Sequence, residues 1–128
     1  MIGLGDDPLT ADVVDLFARE SDRHRGALLL LFCDSDHRLM TPVFIDHVPQ
    51  RSSDREKNEL FEFLEHFGGE GSLSLVAGVC RRRGTPLDAE SGAWLSAAER
   101  GCRRAGIQLL GCYLATPGEI SPILPRAA

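Results

Sequence analysis

Apolar and polar positions along this chain of 128 residues fall into blocks that already read as secondary structure. From Leu9 to about Arg23, Val13, Leu16 and Phe17 recur on one side of a helix, with Thr10 placed to cap it and Leu9 to staple onto Val14. Gly26 to Asp34 is a nearly unbroken apolar run, the pattern of a strand covered on both faces, and is expected at the centre of a sheet. Asp34-Ser35-Asp36-His37 supplies a turn. Leu39 to Val48 then alternates as the antiparallel partner, with Pro42 marking an edge or a bulge. Ser53-Asp54-Arg55-Glu56 is a capping box that opens a second helix, whose stripe of Leu60, Phe61, Leu64 and Phe67 runs to a stop at Gly68-Gly69.

The second half continues in the same way. Ser72 to Cys80 predicts a strand, and Thr85 as cap with Pro86 at the first helical position predicts a helix carrying Trp94, Ala97, Ala98 and Cys102 to a stop at Gly106. Ile107 to Ala115 is the next strand, Thr116-Pro117-Gly118-Glu119 a turn, and Ile120 to Leu124 the last strand. The order α-β-β-α-β-α-β-β predicts an α/β (α+β) fold, a mixed β-sheet with helices packed on its faces. Residues 72 to 115 should form a right-handed crossover between parallel strands, with Leu28, Leu30, Val76, Trp94 and Leu109 buried. One domain is expected over residues 9–124, with residues 1–8 and 125–128 loose at its ends.

Composition narrows the function classes. The longest apolar run, Ala27 to Cys33, is too short to cross a bilayer, and the acidic start of the chain does not read as a leader, so a cytoplasmic protein is expected. Cys33, Cys80, Cys102 and Cys112 contain no C-x-x-C pair and read as small buried hydrophobes. His24, His37, His47 and His66 show neither His-x-His nor H-E-x-x-H spacing, so neither a metal nor a cofactor is expected. The net charge of −5 divides unevenly, −8 over residues 1–70 and +3 over residues 71–128. An acidic chain is a poor general binder of nucleic acid, yet Arg81-Arg82-Arg83 could still hold a specific anion.

Residues 75 to 123, LVAGVCRRRGTPLDAESGAWLSAAERGCRRAGIQLLGCYLATPGEISPI, together with the upstream hairpin Gly26 to Pro49, resemble the RadC-like branch of the JAB/MPN metalloprotease-like family. In that family a strand ends in His-x-His, a Gly/Pro-rich loop follows, and Ser-x-x-Asp opens a helix. With Gly84 matched to the loop glycine, the histidine positions fall on Val79 and Arg81, and Gly111-Cys112 stands where the family often has Asp-His. The resemblance implies a JAB/MPN-like fold with cytidine-deaminase-like layering. It also implies that Asp88 and Glu90 lie near the helix-opening aspartate, and Asp46 near the region of the catalytic glutamate.

Missing metal ligands imply a domain that binds rather than hydrolyses, since inactive members of such families commonly serve as partners. The binding residues expected on this reading are Arg81, Arg82, Arg83, Thr85, Asp88 and Glu90, around a groove that receives a protein partner or an anionic small molecule. Acids in a first helical turn also serve as caps, and exposed arginines also serve as solvated charge. Two other classes stay open: a divergent hydrolase using Asp88, Glu90 or Cys80, and, more weakly, nucleic-acid binding through the arginine-bearing face. Thirteen Arg to one Lys fits base composition in a GC-rich bacterial genome as well as it fits binding, so it does not choose among them.

Overall fold

The computed structural model describes residues 8–67 and 73–125, with side chains from Thr10 onward. Helices α1 (Pro8–Phe17) and α2 (Glu20–Arg25) lead into strands β1 (Ala27–Cys33) and β2 (Leu39–Asp46). Helix α3 (Asp54–Glu62) runs into a short 3-10 turn at Phe63–His66, and strand β3 (Ser74–Cys80), helix α4 (Ala89–Ala105) and strands β4 (Gln108–Thr116) and β5 (Glu119–Pro122) follow. The sheet order is β2-β1-β3-β4-β5, parallel between β3 and β4 and antiparallel elsewhere. The mixed sheet and the β-α-β pairing thus match the expected order. The central strand is β3, not β1 as expected; both have paired neighbours on each side and are buried throughout, so the apolar run alone could not rank them.

Each face of the sheet has its own core. Leu28, Leu30, Leu75 and Val79 meet Phe61 and Leu64 and the α4 residues Trp94, Ala98 and Cys102 on one face. Val13, Val14 and Ala18 cover Leu29, Leu31, Val76 and Tyr113 on the other. Burying each Leu or Phe contributes about 1.5–3 kcal/mol, an upper-bound scale. Leu28, Leu30, Val76 and Trp94 are buried as expected, but Leu109 is half-buried. The β3–β4 register jumps from Leu75↔Leu109 to Val76↔Gly111, and the intervening Leu110 turns inward instead.

The expected first helix is two. Arg19 takes an extended conformation (φ −67°, ψ 156°) and its N–H donates to Asp22 Oδ2 at 3.2 Å, which starts α2 anew. Arg23 holds the break: its buried guanidinium donates to Ala18 O at 2.8 Å, Thr116 O at 3.1 Å and Asp15 Oδ1 at 2.7 Å. Thr10 accordingly lies buried in the first turn of α1 rather than at its cap, and the Leu9 side chain of the expected staple is outside the described residues. Helix α4 begins later than expected because Asp88, not Thr85, is its cap, and it ends at Gly106 in the left-handed region (φ 69°).

Ser53 and Glu56 form the predicted capping box of α3, with reciprocal bonds of 3.1 and 2.9 Å. Phe67 is not buried with Phe61 and Leu64 of its stripe, and Leu60 is half-buried; Phe67 is 56% exposed, its ring 5.8 Å from those of Phe32 and Phe63. The Gly68-Gly69 stop and the chain ends at 1–7 and 126–128 lie outside the described residues. Both sheet edges contain proline, Pro42 in β2 and Pro122 in β5, which removes a backbone donor from each. No helix among the described residues is long and apolar enough to cross a membrane.

Candidate functional site

Three segments meet at one end of the sheet, where Ala27 pairs with both Cys80 and Asp46. Gly26 permits the meeting. It sits at φ 90°, and a Cβ there would collide with the Val48 carbonyl, whose own N–H donates back to Gly26 O at 3.2 Å. With Val48 drawn in, the loop after β2 lies beside both the end of α2 and the loop after β3. Gln50 then spans the gap: its Oε1 accepts from Arg82 N–H at 3.1 Å and its Nε2 donates to Arg83 O at 2.8 Å.

The result is an open cleft of about 340 Å³ lined by His24, Arg25, Gln50, Arg82 and Arg83. Arg82 is steadied further by a bond from Nε to His24 O at 3.3 Å. Arg25 leans toward Asp22, 3.7 Å away, while neither Arg82 nor Arg83 has a carboxylate partner among the described residues. No acid lines this cleft, so its chemistry is that of guanidinium donors facing solvent, suited to a carboxylate or phosphate.

Arg81 does not join its two neighbours. It turns inward, 7% exposed, and its Nη1 donates to Asp88 Oδ1 at 3.1 Å, Asp88 Oδ2 at 3.2 Å and Ser91 Oγ at 3.1 Å. Gly84, at φ 136°, lays its backbone against that guanidinium; a Cβ there would lie 2.5 Å from Nη1. Asp88 caps α4 by accepting from Ser91 N–H at 2.8 Å and also accepts from Thr85 N–H at 3.0 Å. Partial burial works to raise the Asp88 pKa, but the Ser91 and Thr85 amides, the Arg81 guanidinium and the Ser91 hydroxyl outweigh it and bring the carboxyl down to about 2. Thr85 completes the turn by accepting from Ser91 Oγ at 2.7 Å.

Glu90 is equally committed. Its Oε2 lies 2.9 Å from Lys57 Nζ and accepts from Ser52 N–H at 3.2 Å. Lys57 is buried, also donates to Ser52 O, and sits 5.2 Å from the centre of the Trp94 ring. Arg51, Arg81, Asp88, Ala89 and Glu90 line a second opening of about 390 Å³ beside the first, with its charges balanced. Cys80 is buried. Desolvation, helped by Asp22 and opposed by Arg23, pushes its thiol up to about 12. Asp46 is exposed at the end of the edge strand β2. No group of three or more His, Cys, Asp or Glu among the described residues could hold a metal ion.

Of the residues singled out from the sequence, Arg82 and Arg83 share the basic cleft. Arg81, Asp88 and Glu90 line its neighbour, and Thr85 builds the turn between them. His24, Arg25, Gln50, Arg51 and Lys57 were missed. A basic pair closing a helix already has an explanation in the helix dipole, and nothing local to Gln50 points across to Arg82. Neither family models, nor curated proteins, nor solved structures give any match to this chain.

Proposed function

We propose that this chain is a non-catalytic JAB/RadC-like domain that acts as a cytoplasmic binding module, holding an anionic group in the cleft of His24, Arg25, Gln50, Arg82 and Arg83. The observation that carries the anion reading is a cleft lined by Arg25, Arg82, Arg83 and His24, brought together from the end of α2 and the loop after β3, with no carboxylate-bearing residue in its lining. The α-β-β-α-β-α-β-β order, kept except for the divided first helix, supports the JAB/MPN-like architecture. On that reading Arg81 stands at the second histidine position and its guanidinium neutralises the helix-opening Asp88, a fixed cation in place of a metal. The commitments of Asp88 to a helix cap, Glu90 to Lys57 and Cys80 to the core favour binding over hydrolysis. The ligand class is a phosphate- or carboxylate-bearing small molecule or acidic segment, because the lining offers donors and positive charge to it.

Thermal melting tests this. Phosphate should raise the Tm of the wild-type protein above that in chloride of equal ionic strength, by mass action on the folded state. An Arg82→Ala, Arg83→Ala double variant should fold and lose the difference, since both side chains are exposed. Equal responses in the two proteins would return these arginines to the role of solvated surface charge.

A further inference from the structure

We infer that Gln50 is the positioning residue of the basic cleft: it fixes the backbone from which Arg82 and Arg83 project, and so sets the affinity for the anion. The inference rests on the anion-binding reading of the same cleft. Strand β3 ends at Cys80, and Arg81 N–H makes the last bond to the neighbouring strand's end, Ala115 O at 3.0 Å. Beyond that point the loop has no ladder to hold it. The Gln50 side chain takes over, its carbonyl accepting from Arg82 N–H at 3.1 Å and its amide donating to Arg83 O at 2.8 Å. An amide at the end of a two-carbon stem supplies acceptor and donor side by side, which is what a paired strand's backbone would present.

Other side chains do half of this or none. Asn is one methylene shorter. Glu keeps the acceptor for Arg82 N–H, but its carboxylate has no donor for Arg83 O and brings a negative charge among Arg25, Arg82 and Arg83. Leu keeps approximate size and loses both bonds. A loop fixed before the ligand arrives loses less freedom on binding, so the two hydrogen bonds act on affinity through preorganisation. Gln50 is itself exposed and lies off both cores, so its loss should leave the fold standing.

The test is calorimetric titration of inorganic phosphate into the wild-type chain, Gln50→Leu and Gln50→Glu, with the phosphate-free Tm of each recorded alongside. Gln50→Leu should weaken the phosphate Kd about 10-fold, the size expected when one or two loop side chains must be ordered on binding rather than before it. Gln50→Glu should weaken it further, and both phosphate-free Tm values should stay within about 2 °C of wild type. If Gln50→Leu fails to fold, Gln50→Ser removes the same bonds without an exposed apolar side chain. Absence of phosphate affinity in the wild-type protein would overturn the reading of the cleft on which this inference rests. Equal Kd values in wild type and variant would overturn the role of Gln50 and leave the cleft standing. A weakened Kd accompanied by a large fall in phosphate-free Tm would also overturn it, making Gln50 a residue of the fold.

Discussion

Asp88 joins two structures that would otherwise be separate, the first turn of α4 and the buried Arg81 guanidinium. Its carboxyl is held at about 2, below the ordinary 3.8, so the folded state binds the proton less readily than the unfolded chain. The stabilisation from its charge is therefore fully present above about pH 4 and is lost as pH falls through about 2. Asp88→Asn keeps a good cap but removes the charge. Urea denaturation across a pH series should find the largest difference between wild type and Asp88→Asn above pH 4, shrinking as pH falls toward 2; a constant difference would count against this account. Asp88→Ala should cost about 2 kcal/mol or more at neutral pH, from the lost cap and the buried donor left behind. The sequence signalled a helix here but placed its cap at Thr85, three residues early, and gave no sign of the Arg81 partner. Charged residues such as Arg23 and Lys57 read as surface by type, and the fold takes them inside through local carbonyls together with Thr116 and Glu90, which lie far along the chain.

Helix α4 carries two interior glycines that look alike in the sequence and differ in the fold. Nothing lies within 4 Å of a Cβ built on Gly92, whereas one on Gly101 would sit 2.6 Å from Phe61 Cβ, where α3 crosses closely. Gly92→Ala should raise stability by up to about 1 kcal/mol through helix propensity alone. Gly101→Ala gains the same propensity but must push α3 away, and overpacking of about 1–3 kcal/mol leaves a net loss. Chemical denaturation of the two variants checks the opposite signs; a stabilised Gly101→Ala would show that the α3–α4 contact yields easily. Strands and helices were legible because their patterns are local: seven apolar residues in β1, a capping box at α3, a glycine stop after α4. The break between α1 and α2 and the inward turn of Leu110 were not. One is held by Arg23 reaching the end of β4 and the other by a register slip between neighbouring strands.

At the scale of the whole molecule, the sheet ends in two strands that each contain a proline, and this bears on how copies meet. Pro42→Val would restore a backbone donor to the long edge strand β2, on which Met40 and Phe44 are already exposed. Refolding from urea at matched concentrations should then give more light scattering for Pro42→Val than for wild type. Equal scattering would mean that side chains, not the missing donor, protect this edge. The candidate site shows the limit of sequence reading most plainly, since Arg82 and Arg83 were visible as a run while His24, Arg25 and Gln50 reach them only through the fold. That meeting depends on Gly26, whose missing side chain leaves room for the Val48 carbonyl. Every amino-acid replacement reachable from a glycine codon by one base change brings a Cβ. Position 26 therefore has no tolerated neighbour in the genetic code, and random mutagenesis read out by phosphate binding should return glycine there among the surviving clones.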